Sequence, residues 1–270
     1  TDLVESLDGE EKLGQPMIHL SVPRDWGVID AFVLPWFRNR FYPGEKGRLR
    51  TPLVVATDLA HYESGAEESH IDLALRYTLT FGETDVGIYH FIGTSRQPTL
   101  FIGLQDRTPV LIPYYEQINQ TGLDVQMVVG NWLWKGEAFL RSGQGRSFAA
   151  TTFGFEYTFV GIGESEMDLG IIGEYVFDDR ASHMASPYNN DVMSGLRLAV
   201  NDAEGTEILA GIIKDVELSS MFSSIEASRR LGENWKIAVK AAFFTNVDRQ
   251  DSAYNLRNDD HIKTELFFYF

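Results

Sequence analysis

The chain has no cysteine, so no disulfide staples its fold. It also lacks any run approaching the ~18 apolar residues of a membrane-crossing helix. That argues against a helical membrane protein. It leaves open a protein that crosses with strands, whose alternating residues look mildly polar on average. Positive charge is scarce: 23 Lys and Arg stand against 39 Asp and Glu, a formal net charge of −16 in 270 residues. This balance argues against nucleic acid as a partner. No internal repeat, low-complexity tract or linker interrupts the sequence, so a single domain over residues 1–270 is the simplest organisation. No leader is visible and the first residue is Thr1 rather than Met, so either a leader has been removed or the chain is a fragment.

Aromatics are plentiful, and the last stretch concentrates them. Counting back in twos from the end gives Phe270, Phe268, Leu266, Thr264 and Ile262; the other set is Tyr269, Phe267, Glu265, Lys263 and His261. In a strand these sets face opposite ways. One face is apolar, with Ile262, Leu266, Phe268 and Phe270 as its signature, and the other carries charge. A transmembrane β-barrel needs such a closing strand, with one side to lipid and one to the lumen.

The same alternation recurs along the chain. Ile71–Phe81 sets Ile71, Leu73, Leu75, Tyr77, Leu79 and Phe81 against Asp72, Arg76 and three small residues. Further strand-like runs are Met17–Val22, Val28–Leu34, Val86–Ile92, Thr121–Val129, Trp132–Arg141, Thr151–Phe159 and Leu169–Phe177. Val192–Val200, Ile208–Ile213, Phe222–Leu231 and Trp235–Thr245 follow. The total is about thirteen strands, each near the ~10-residue segments of membrane barrels. The only competing helical signal is a short turn within Leu111 to Gln120. The expected fold is therefore all-β, an antiparallel transmembrane β-barrel. A soluble β-sandwich would also alternate. It would not place Tyr77, Phe81, Tyr157, Phe159, Trp235, Phe268 and Phe270 beside turns like an aromatic girdle, nor bury both charge signs.

Loop lengths fix an orientation. With Phe270 on the periplasmic side, the short turns at 23–25, 82–84, 130–131, 201–206 and 232–234 all fall inside. The long segments Pro35–Ser69, Gly93–Asn119, Asp179–Asn190 and Val247–Asn258 fall outside, and Ser142–Ser147 is a further connection. Val160–Asp168 is a longer periplasmic connection than the rule predicts. An odd strand count places Thr1–Gly14 on the wrong side, so one or more N-terminal strands are expected to be missing from a barrel of roughly 14 or 16 strands. The alternative is a strand overlooked near Thr99–Leu104.

The pieces Thr1–Met17, Arg24–Arg38, Gly93–Pro98, Pro113–Asp124 and Arg141–Gly145 (RSGQG) resemble a group of poorly characterised proteobacterial outer-membrane porin-like proteins. The resemblance covers essentially the whole chain. It implies a bacterial outer-membrane location and a barrel preceded by further strands, and it supplies neither substrate nor catalytic residues.

If the registers hold, the lumen-facing set is Arg76, Lys135, Glu137, Arg141, Glu156, Glu174, Arg197, Glu226, Arg230, Lys236, Lys240, Lys263 and Glu265. These charges either pair across the interior or set the field felt by permeating ions. Arg38, Arg40, Arg48, Arg50, Arg96 and Arg107 lie in the two longest loops. They would form a basic constriction if a loop folds inward, or contact anionic lipopolysaccharide if it does not. Asp178 and Asp179 with His183, and Asp259 and Asp260 with His261, are weak candidates for a divalent cation or a rim hydrolase. No Gly-x-Ser-x-Gly elbow and no nucleotide-binding strand–glycine–helix unit is present.

The expected function is a porin-like channel for small hydrophilic solutes, with no reaction and no cofactor. The alternatives are a plugged structural or partner-binding barrel in an envelope complex, and a rim hydrolase. Expected partners are outer-membrane lipid and lipopolysaccharide, the barrel-assembly machinery through the C-terminal strand, and a further copy or envelope partner.

Overall fold

The computed structural model describes residues 13–47, 49–180 and 188–270. The protein is all-β. Its strands are β1 (Ile18–Arg24), β2 (Gly27–Leu34), β3 (His61–Tyr62), β4 (Asp72–Phe81), β5 (Thr84–Thr94), β6 (Thr99–Gln105), β7 (Thr108–Tyr115) and β8 (Gln117–Val129). They continue as β9 (Trp132–Gly143), β10 (Gly145–Phe159), β11 (Asp168–Asp178), β12 (Asn190–Ala199), β13 (Glu207–Asp215), β14 (Met221–Leu231), β15 (Trp235–Thr245) and β16 (His261–Phe268). A 13-stranded sheet runs in the order β1-β2-β4-β5-β8-β9-β10-β11-β12-β13-β14-β15-β16, and a separate 3-stranded sheet in the order β3-β7-β6. The large sheet is not closed: among the described residues β1 and β16 each pair on one side only.

Each of the thirteen alternating runs in the sequence is a strand of the large sheet. The strand near Thr99–Leu104 exists as β6, but it belongs to the small sheet and leaves the large one at thirteen. Three expectations are corrected. Gly93–Asn119 is not one irregular loop, because it holds the antiparallel hairpin of β6 and β7. Leu111 to Gln120 has no helical turn: β7 runs to Tyr115 and β8 starts at Gln117. Ser142–Ser147 is not a loop, because β9 and β10 extend until Gln144 alone separates them. Tight hairpins close the other end of the sheet. Gly130 and Gly232 supply the left-handed backbone there (φ 58° and 70°) that side-chain-bearing residues rarely adopt.

By contacts the chain divides into two compact units: Thr1–Asp124, Glu137–Ala150 and Asp179–Ser186 in the first; Val125–Gly136, Thr151–Asp178 and Pro187–Phe270 in the second. In the first unit the long loops make a local core. Phe37 and Tyr115 are fully buried with ring centroids 4.8 Å apart, and Tyr62 stacks on Tyr115 at 5.4 Å. Val55, Ala56 and Val110 complete it, stitched by the backbone bonds Ala56 N to Leu111 O (2.8 Å) and Leu111 N to Val54 O (2.9 Å).

The second unit buries almost no apolar side chain; Ala242 is its one core residue among the described residues. Most of its exposed large apolar residues lie on one face instead. The register aligns Ile171, Leu196, Ala210, Ile225, Ala241 and Ile262 in one row across six strands. Leu196, Ile225 and Ile262 in that row are 50%, 48% and 71% exposed. Rings gather at the short-turn end: Trp132 against Tyr157 (4.7 Å) and Trp235 against Phe268 (4.7 Å) in the second unit. In the first unit Trp26 lies beside Tyr77 (5.7 Å).

Candidate functional site

The charged face of the large sheet carries the residues that alternation singles out, and many of them are paired. In the first unit Arg76 grips Asp124 with two bonds of 2.7 Å each. Arg76 is on β4 and Asp124 on β8, with β5 between them. The pair reaches across because β5 has Gly87 there: a Cβ at that position would lie 2.2 Å from Arg76 Nη2 and 2.6 Å from Asp124 Oδ2. The second unit uses the same device. Arg197 of β12 donates to Glu156 of β10 at 3.0 Å, over β11, where a Cβ on Gly170 would stand 2.5 Å from Glu156 Oε1. Glu174 packs its Cβ and Cγ beside Gly154, where an added Cβ would lie 3.1 Å from each and 2.8 Å from the Gly173 carbonyl oxygen.

The remaining candidates divide by neighbour. Lys240 pairs with the directly opposite Glu226 at 2.7 Å, and Lys263 with Glu265 two residues along at 3.0 Å. Arg141 donates to Gln120 (2.8 Å) and to Gln144 (3.4 Å), and its guanidinium lies over the Phe139 and Phe148 rings. Lys135 and Glu137 share the Arg141 parity on β9. Arg230 and Lys236 behave differently. They face each other directly across β14 and β15, two like charges at opposed positions.

The loops of the first unit build a second polar cluster that alternation does not reveal. Its hub is Asp72, with no exposed surface. Its carboxylate accepts from Arg96, from the Thr94 amide (2.9 Å) and from His70 Nδ1 (2.8 Å). Arg96 also donates to Gln15 (3.1 Å) and sits over the rings of Phe37 and Phe91. Beside it, Gln144 donates to the Gln97 carbonyl (2.7 Å) and to Glu116 Oε2 (3.2 Å), while the Thr99 hydroxyl donates to Glu116 Oε1. Burial pushes the Tyr62 phenol up to about 12, although its bond to Asn39 opposes the shift; burial also raises Tyr115. Asp72, Glu116 and Gln144 were not among the candidates of the sequence. The one available signal was Gln144 itself, a polar residue between two glycines in the RSGQG stretch.

The loop arginines have separate partners. Arg38 donates to the Gly14 carbonyl (3.1 Å), and Arg50 to the carbonyls of Thr51 (2.8 Å) and Pro52 (3.0 Å). The Arg40 amide donates to Tyr115 Oη (3.1 Å), and its buried Nε has no hydrogen-bond partner. Arg107 occupies the exposed β6–β7 turn, and Arg48 lies outside the described residues. The acidic rim residues cap backbone. Asp179 accepts from the Ala149 amide (2.6 Å), and Asp260 from the Phe244 amide (2.8 Å). The Asp178 amide donates to the Asn189 carbonyl (3.0 Å), and His261 bonds the Asp259 carbonyl (2.8 Å) rather than a carboxylate. His183 lies outside the described residues, and among the described residues no three His, Asp or Glu side chains converge as a metal would need.

No family model, curated protein or solved structure matches the chain.

Proposed function

We propose that the chain is an outer-membrane β-barrel protein that forms a channel for small hydrophilic solutes and catalyses no reaction. The observation that carries this reading is the division of the second unit's sheet into two faces without a core. One face is a continuous row of exposed aliphatic side chains, from Ile171 across to Ile262. The other carries the row Gly170, Arg197, Leu209, Glu226, Lys240 and Lys263, in which four of the six positions are charged. In water an apolar surface of that extent is a liability. Against lipid it is a requirement, and the opposite face then lines the aqueous side. The rings at the short-turn end fit the interfacial aromatic belt of such proteins.

Within the first unit, the pair of buried Asp72 with Arg96 and the Gln144–Glu116 bond hold the loops together. Planar-bilayer recording tests the channel. Discrete conductance steps are expected; a protein that folds, shifts its gel mobility on heating and still conducts nothing is a plugged barrel instead.

A further inference from the structure

We infer that the first unit holds a binding site for a small organic cation of the ammonium class. The site is a partly enclosed cavity of about 330 Å³ lined by Glu63, Thr99, Phe101, Tyr114, Glu116 and Gly143, among others. That volume is at the lower end of small-molecule sites, which run ~300–1,000 Å³. Two carboxylates reach it, and among the described residues their hydrogen-bond partners are neutral. Glu63 Oε2 accepts from the Gln117 amide at 2.6 Å. Glu116, only 8% exposed, accepts from the Thr99 hydroxyl and from Gln144 Nε2 at 3.2 Å. Among the described residues no Lys, Arg or His lines the cavity. A buried carboxylate without a counter-charge is costly, and a cation bound beside it relieves that cost.

The rest of the wall selects the kind of cation. Phe101 and Tyr114 meet edge to face at 6.1 Å and present aromatic surface beside the carboxylates. Aromatic faces attract alkylammonium groups, and a carboxylate next to them supplies the charge. A hard metal ion would instead need six or more oxygens, and two carboxylates and a hydroxyl among apolar rings do not supply them. An anion is repelled by both glutamates. The floor is rigid where β9 ends: Gly143 has φ +97°, and a Cβ there would lie 2.1 Å from the Gln117 carbonyl oxygen.

This site does not depend on the channel reading, because binding is measured on folded protein in detergent micelles whether or not it conducts. Titration calorimetry of the full chain with choline chloride should show saturable binding. Choline's neutral carbon isostere, with a quaternary carbon in place of the nitrogen, should bind at least ~10-fold more weakly. Glu63→Gln exchanges an exposed side chain for its isostere, so the fold survives, and it should weaken choline ~10-fold or more. Tyr114→Leu should weaken it severalfold, and Glu226→Gln on the second unit should leave it unchanged. Absence of choline binding, equal binding of the neutral isostere, or choline affinity unaltered in both Glu63→Gln and Tyr114→Leu would each overturn the inference. So would magnesium binding at the cavity with choline excluded.

Discussion

Replacing Asp72 with alanine should open the loop cluster of the first unit. Three groups lose their acceptor at once: Arg96, the Thr94 amide and His70. The bond to a charged donor contributes ~1.5–3 kcal/mol, and leaving a buried amide unsatisfied costs ~1–3 kcal/mol. Thr94 is fully buried, so its amide has no water to turn to. The Arg96 side chain is 36% exposed and can, which discounts its share. The terms overlap because one carboxylate serves all three groups, and the expected net loss is about 3 kcal/mol. Asp72→Asn keeps an oxygen for the Thr94 amide and should cost about half as much. Urea unfolding of the detergent-folded protein gives the totals. Hydrogen exchange at the Thr94 amide reports the site directly: protection should vanish in Asp72→Ala and persist in Asp72→Asn. A stability change below ~0.5 kcal/mol in Asp72→Ala, the range of an ordinary surface substitution, would refute the hub. Equal losses in the two variants would refute the partition between amide and charge.

Three further outcomes are expected. Leu196→Lys, at the middle of the exposed aliphatic row, should cost ~2–4 kcal/mol in a lipid-refolding equilibrium, whereas Leu209→Gln, on the polar face of the neighbouring strand, should cost under ~1 kcal/mol. For Tyr62, the folded pKa of about 12 lies above the ordinary value of 10.0, so the unfolded chain releases the proton first. Its contribution to stability is complete below pH 10 and is lost as pH rises toward 12, which urea midpoints across that window and phenolate absorbance of Tyr62→Phe against the native protein will show. If the protein conducts, Lys236→Glu should shift the reversal potential in a salt gradient toward cation preference, because Arg230 then faces a carboxylate instead of a like charge.

The strands of the large sheet were legible because each alternates with a period of two, and thirteen such runs became thirteen strands. The β6–β7 hairpin was not. Pro109 and Pro113 suggest a loop, and the run Val110–Leu111–Ile112 between them does not alternate. Pro113 is tolerated although β7 is the middle strand of the small sheet, because β3 pairs only with Tyr114 and Tyr115 and leaves position 113 outside its ladder. Gly143 and Gly145 likewise read as loop punctuation, although they flank a single turn residue, the buried Gln144. Alternation also told which charges share a face. It could not tell which of them meet, since that depends on register and on the strand in between. Asp72 shows the same gap: its parity on β4 is plain, but its partners arrive from residues 94 and 96, after the following strand has turned back.

Whether the charges of the polar face pair or set a field is therefore decided residue by residue, and glycine decides it. An ion pair between adjacent strands, such as Glu226 with Lys240, fastens two strands that the backbone ladder already joins. The pairs Arg76–Asp124 and Glu156–Arg197 each clasp strands that share no ladder, β4 with β8 and β10 with β12, and they need an intervening residue with no side chain. Alanine at position 87 or 170 would displace the clasp and separate its two charges, because the atoms it meets are the ends of flexible side chains. The glycines thus let these charges act as cross-braces of the sheet. At Arg230 and Lys236 no such neutralisation is built in, since the directly opposed residue is a like charge. That pair lies at the short-turn end of β14 and β15.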